Sequence, residues 1–370
     1  MNRIILIGNG FDLAHGLKTS YADFINWYWD KKGMQLLKEH TDELSDELCS
    51  IKLIDSHFNW NEFWSIYFIN NERPKVWNGN LLVNYIKKNK DIGLLKYTDN
   101  FFEQINKQIE TKKWVDIERE YYSQLTIVKH SFEIHRPVNY RSLNIQLEYL
   151  SNKLIEYLRE ETKWDVSLIE DIKEKIYKPV KRREVVVSGK NNSEDFFELK
   201  NLMILNFNYT NTPEMYLADN STVNYIHGKL DDPQSVIFGY GDELDENYKR
   251  LKEQNDSECM RHVKSIRYQE HDNYRRMLEF IESDSFQVVI MGHSCGNSDR
   301  TLLNTIFEHP NCVSIKPYYY QIDDKTDNYS ELTININRNF NDPKLMRDRV
   351  VCKDYCEPLT GVKPGVKVLG

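Results

Sequence analysis

Four strand-like runs, at 1–7, 202–205, 223–226 and 286–291, each stop at a cluster of glycine, asparagine or histidine. Several of these runs are apolar without polar alternation, as parallel strands covered on both faces are. The pattern restricts the chain to an open α/β sheet whose polar clusters gather at the strands' carboxyl ends, where such sheets hold ligands. The first run leads straight into Gly8, the usual opening of an α/β domain. Further strand candidates lie at 235–238, 312–322 and 332–336, and Tyr274 to Ile281 reads as a helix before the run at 286.

A helix is expected at Tyr21 to Tyr28, and from about residue 34 to 175 the chain reads as helix after helix. Trp114, Ile117, Tyr121, Leu125 and Val128 recur at spacings of three and four, as do Leu143, Leu147, Leu150, Leu154 and Leu158. Such stripes are core faces of amphipathic helices. A β-branched patch from Lys181 to Val187 and a polar loop at 188–193 mark the best internal boundary. The architecture expected is therefore α/β: a Rossmann-type parallel sheet with a large α-helical insertion after the first βα unit. Residues 1–30 and 200–355 would form the core, 31–199 the mainly helical insertion and 356–370 a C-terminal tail.

Composition agrees with a packed protein: 40% of the 370 residues are apolar and 12% aromatic. A net charge of −8 argues against a broad grip on nucleic-acid phosphates. The basic runs Lys87-Lys88-Asn89-Lys90 and Lys181-Arg182-Arg183 are short and read as solvated faces. No apolar stretch approaches the ~18 residues of a membrane span, and the amino-terminal run is too short for a secretory segment. A cytoplasmic protein that binds neither membrane nor nucleic acid is the expectation. The six cysteines include no CxxC pair, which points to reduced thiols and to no metal site.

Each polar cluster admits two readings. Gly8-Asn9-Gly10-Phe11-Asp12 could bring backbone close to a pyrophosphate, but Leu13 stands where the dinucleotide fingerprint has its third glycine. The same glycines would serve a purely structural turn. Asn206-Phe207-Asn208-Tyr209-Thr210 could cap the next helix or aim an amide at a ribose hydroxyl or a water. His227-Gly228 could be structural, or the histidine could act as a general base. Gly292-His293-Ser294-Cys295-Gly296, with Asp299 behind it, has the spacing of a hydrolase nucleophile elbow. That enzyme needs an acid and then a histidine after the serine. Only His309 follows, too close to return from a distant loop.

In this order the clusters resemble the sirtuin-like NAD-consuming fold. Gly8-Asn9-Gly10, Gly16 and Asp23-Phe24 are similar to its opening, with a longer stretch before Asp23. The resemblance places Asn208 on the catalytic asparagine, His227 on the catalytic histidine, and Gly292-His293-Ser294 on a cofactor-binding turn. A closer resemblance is to the AbiH family of bacteriophage abortive-infection proteins. It is carried by Ile7 to Phe24, Trp114-Val115-Asp116-Ile117-Glu118, Asn206 to Thr210, His227-Gly228 and Gly292 to Asp299.

The resemblance implies an anti-phage effector that, when triggered, hydrolyses NAD to nicotinamide and ADP-ribose without a metal. Asn208 and His227 would be catalytic. Gly8, Asn9, Gly10, Phe11, Asp12, Tyr209, Gly292, His293, Ser294 and Asp299 would bind NAD, the substrate. Its partners would be further copies of itself and a phage-derived activator or a partner defence protein. Two departures bear on this. Thr210 stands where sirtuins carry an acid, leaving Asp12 or Asp299 to supply the charge. The zinc-ribbon cysteines of protein deacylases are missing, which directs the activity to NAD hydrolysis. The alternative is a non-catalytic sensor of NAD or ADP-ribose in a defence complex, which Thr210 favours.

Overall fold

The computed structural model describes residues 1–39, 43–53, 79–90, 93–112, 115–127, 139–162, 166–186 and 196–361. Its main sheet has five parallel strands: β1 (Asn2–Ile7), β2 (Leu202–Asn206), β3 (Ser221–Tyr225), β4 (Phe286–Met291) and β5 (Cys312–Tyr318). Their spatial order is β5-β4-β1-β2-β3. This is a Rossmann-like arrangement whose order reverses between β1 and β4. Those two strands pair from Asn2 opposite Phe286 to Ile7 opposite Met291, so they end level. Every residue of both is buried. At ~1.5–3 kcal/mol for each large aliphatic side chain, the burial of this pair contributes strongly to the cohesion of the sheet.

Side chains alternate between the two faces of the sheet. Ile5, Ile7, Val289 and Met291 share a core with Phe11 of α1 (Asn9–Ala14) and with Ile172 and Ile176 of α2 (Glu170–Tyr177). On the other face, Ile4, Leu6, Val288 and Ile290 pack with three helices. These are α3 (Asn273–Ser283), through Met277 and Ile281; α4 (Arg300–Phe307), through Leu302, Leu303 and Ile306; and α5 (Tyr329–Arg338), through Leu332 and Ile336. Covering both faces is what the unbroken apolar runs require.

The chain divides into two compact units. One comprises Met1–Thr19, Leu125–Glu133 and Leu158–Gly370 and contains the sheet; the other comprises Ser20–Gln124 and Ile134–Tyr157. The sequence reading grouped 31–199 as one insertion. In the structure the stretch from Leu158 onward belongs with the sheet, because Ile172 and Ile176 fill its core. The start of the expected tail is docked as well: Leu359 is buried there and gives its N–H to the Tyr319 carbonyl at 2.8 Å.

Four local expectations are corrected or bounded. Within the stretch read as helix after helix, Glu43–Ser45, Cys49–Leu53 and Gly93–Tyr97 form an antiparallel sheet. Cys49, Ile51 and Leu53 are buried while Lys52 is exposed, a period of two overlooked among helices. Residues 332–336 are helical within α5, with Leu332 and Ile336 four apart on its buried side. Residues 235–238 pair with no strand among the described residues: Ser235 ends a 3-10 turn, and Ile237 N–H turns back to the His227 carbonyl. Ile117, Tyr121 and Leu125 lie on the helix Ile117–Leu125, whereas Trp114, Val128, Val187 and 188–193 lie outside the described residues. No helix among the described residues is long and apolar enough to cross a membrane.

Candidate functional site

Because β1 and β4 end level, the turns that follow them touch. Gly10 N–H donates to the Gly292 carbonyl at 2.9 Å. Gly292 has φ +75°, and a Cβ on it would lie 2.1 Å from the Phe11 nitrogen. A Cβ on Gly8 would lie 2.7 Å from His293 Cα. Gly8, Gly10 and Gly292 are therefore required by the close approach of two backbones. From this junction the chain after β1 leaves toward the α1 face, where Phe11 joins the core, and the chain after β4 leaves toward the α4 face.

The segment after β2 also joins the α1 face, through Tyr216. Asn206 braces its turn, donating to the Thr210 carbonyl (2.9 Å) and accepting from Asn208 N–H (3.1 Å). Neither asparagine caps the next helical turn, whose cap position is Asn211. Asn208, half-buried, donates from its amide to the Gly8 carbonyl at 3.0 Å. Thr210 donates to Asp12 Oδ2 at 2.7 Å. The Thr210 hydroxyl is thus bonded to a carboxylate from α1. Asp12 is buried, and its Oδ1 has no hydrogen-bond partner among the described residues.

Burial pushes Asp12 from 3.8 up to about 6, with Thr210, Thr212 and Asn208 pulling part of the way back. An acid whose pKa is higher in the fold lends stability that is complete below 3.8 and lost as pH rises through about 6. Ionising Asp12 at pH 8 should cost on the order of 3 kcal/mol. Asp12→Asn should therefore melt higher than the parent at pH 8, and the gain should vanish near pH 4. Thermal melts across that range test this; an Asn variant less stable at pH 8 would mean the carboxylate is compensated in the fold.

The segment after β3 departs to the α4 face, where it meets the start of α4. His227 is 4% exposed and places Nε2 3.1 Å from the Tyr268 hydroxyl and 3.3 Å from Asp299 Oδ1. His293 Nε2 stands 3.6 Å from Asp299 Oδ2, and its Nδ1 accepts from Cys295 N–H. Lys264 Nζ, wholly buried, pairs with Asp299 Oδ1 at 2.8 Å. Phe207 packs against both imidazoles. Burial alone would raise the pKa of Asp299, but Lys264 and the two histidines outweigh it and hold the carboxyl well below the usual range. Burial, then Lys264 and His293, lower the pKa of His227 against the pull of Asp299.

The expected site residues thus fall into two groups joined at Gly8. Asn208, Thr210 and Asp12 lie on one side; His227, His293 and Asp299 lie on the other. Asn9 is exposed and its Oδ1 accepts from Thr19 at 2.5 Å. Phe11 is a core side chain, tilted against His15 and edge-on to Tyr216. Tyr209 donates to the Ile237 carbonyl at 3.2 Å. Ser294 is exposed, and the left-handed residue of its turn is the buried Cys295 (φ 54°). His309 pairs with Glu282 at 3.2 Å, so the hydrolase arrangement is not formed. Sequence reasoning missed Lys264 and Tyr268. Their separation by one helical turn, which sends Lys264 to Asp299 and Tyr268 to His227, was the available signal.

A family model described as "Bacteriophage abortive infection AbiH" matches residues 4–320, a span containing every residue of both groups. No curated protein and no solved structure matches the chain.

Proposed function

From the premise that this chain belongs to the bacteriophage abortive infection AbiH family, whose role is in phage abortive infection, we propose that it acts by hydrolysing NAD to nicotinamide and ADP-ribose. The observation that carries this reading is the oriented histidine. Asp299 is held ionised and can only accept, so the proton of neutral His227 belongs on Nε2. Nδ1, which has no hydrogen-bond partner among the described residues, is then the basic nitrogen. The depressed pKa keeps it unprotonated at pH 7.

Cleavage of the nicotinamide–ribose bond expels a neutral nicotinamide from a cationic ring, so the protein need not activate the leaving group. Its tasks are to hold the ribose and to take the proton that water loses as its oxygen bonds to the anomeric carbon. Nδ1 of His227 would take that proton. Asn208, one N–H committed to Gly8, has its amide oxygen left to hold a ribose hydroxyl or the water. Asp12, with which the Asn208 side chain interacts, would place a carboxylate on the same side. The developing oxocarbenium charge is favoured by a nearby carboxylate, which answers the loss of the family acid at Thr210.

The depth of His227 favours a second reading, in which the site senses NAD or ADP-ribose and catalyses nothing. Incubating the full-length protein with NAD, with and without phage lysate, separates the two. Equimolar nicotinamide and ADP-ribose are expected. Saturable NAD binding with no nicotinamide released under either condition would leave the sensor.

A further inference from the structure

We propose that Lys264 is a positioning residue, whose buried ammonium keeps Asp299 a carboxylate aimed at His227 Nε2 and so makes Nδ1 the basic nitrogen of the site. The inference deepens the reading of His227 as the proton acceptor and rests on it.

A lysine with no exposed surface is an expensive residue to keep in a core. Well-packed apolar side chains usually do as well as a buried ion pair or better, so stability alone gives weak reason for this one. Here the pair is built in with care. Gly241 approaches so closely that a Cβ on it would lie 3.2 Å from Lys264 Cβ. The backbone N–H of Lys264 donates to the Tyr240 carbonyl at 2.9 Å. The helical turn Lys264–Arg267 begins at this residue and closes with Tyr268 N–H on the Lys264 carbonyl at 2.8 Å. That single turn delivers the ammonium to Asp299 and the Tyr268 hydroxyl to His227.

The charge arithmetic of the cluster makes Lys264 decisive. The groups facing His227 are Asp299 and His293 from the β4–α4 connection, and Lys264 and Tyr268 from the Lys264 turn. With Lys264 present, Asp299 has its counter-ion, and His227 can stay neutral. Without it, the only groups among the described residues paired with the buried carboxylate are the two imidazoles. One of them would take a proton, and His227 is the closer at 3.3 Å against 3.6 Å. A protonated His227 is no base. Lys264 therefore touches neither ligand nor water in this scheme; it acts by fixing Asp299 as a carboxylate and by opposing a second positive charge on His227.

The test is nitrogen-detected NMR of the full-length protein with ¹⁵N-labelled histidine, across pH 5 to 9. The parent should show His227 as the Nε2–H tautomer, titrating below the ordinary histidine range. Lys264→Met should raise its proton affinity at least ~10-fold, and the acid limb of NAD turnover should move alkaline with it. Lys264→Arg should restore the parent behaviour. Asp299→Asn should shift the titration the opposite way and mix the tautomers. If Lys264→Met does not fold, Lys264→Met/Asp299→Asn removes both charges and should fold with His227 neutral and its tautomer unfixed. A His227 titration and tautomer unchanged in Lys264→Met, or unchanged in the folded double variant, overturns the assignment. The expected NMR shifts in a protein that releases no nicotinamide would uphold the role of Lys264 and defeat NAD hydrolysis alone.

Discussion

Replacing His227 by alanine should lower NAD turnover at least ~100-fold and leave the sheet unit folded, because general-base catalysis typically accounts for that much or more. The Lys264–Asp299 pair survives the change, so no buried charge is stranded. The lost imidazole leaves a cavity beside Phe207 and Tyr268 worth a few kcal/mol of stability. Asn208→Ala should reduce turnover by a similar factor through lost positioning. It removes the hydrogen bond to the Gly8 carbonyl and the side-chain contact with Asp12, at a structural cost of about 1–2 kcal/mol. Circular dichroism and melting temperature report the fold, and nicotinamide release reports the chemistry. Full turnover in a folded Asn208→Ala protein would reduce that amide to a tie between two turns. Full turnover in His227→Ala would remove the proposed base altogether.

The second large effect is on folding, and two glycines in the left-handed region separate its causes. Gly292→Ala should cost more than about 3 kcal/mol. Its methyl would sit 2.1 Å from the Phe11 nitrogen and 2.5 Å from the Gly10 carbonyl carbon, forcing apart turns that a hydrogen bond holds together. Gly16→Ala carries the same kind of backbone strain, with φ +86°, but finds no atom within 4 Å. It should cost only about 1–2 kcal/mol, the price of an L residue in that region. Urea denaturation of the two variants beside the parent measures the difference. Equal costs would show that φ alone, and no interlocking of the two turns, explains Gly292.

The glycines also show where local reading stops. From the sequence, Gly8-Asn9-Gly10 admitted both a phosphate cradle and a structural turn. The structure explains all three interlocking glycines, 8, 10 and 292, by the meeting of two backbones. Ser294 is a similar case. Its spacing imitates a nucleophile elbow, but the strained residue is Cys295 and the serine faces outward. Lys264 lay in a polar stretch, Arg261-His262-Val263-Lys264-Ser265, marked only by Tyr268 one helical turn further on. What singles it out is a partner 35 positions away.

Short-range properties were therefore readable from the chain alone. Continuous apolar runs announced buried parallel strands, and polar clusters after them announced the edge where a site could form. Helical stripes such as Leu143 to Leu158 announced amphipathic faces. These follow from side-chain periodicity and turn chemistry, which act over a few residues. Which clusters meet was decided elsewhere. Strand order places β1 between β2 and β4, through pairings that join residues about 200 and 280 positions apart. The face toward which each connection departs then sorts the polar ends: those after β1 and β2 bring Asp12 to Thr210, and those after β3 and β4 bring His227 to Asp299. No local pattern encodes that sorting, because it depends on where the helices following each turn find apolar surface to cover.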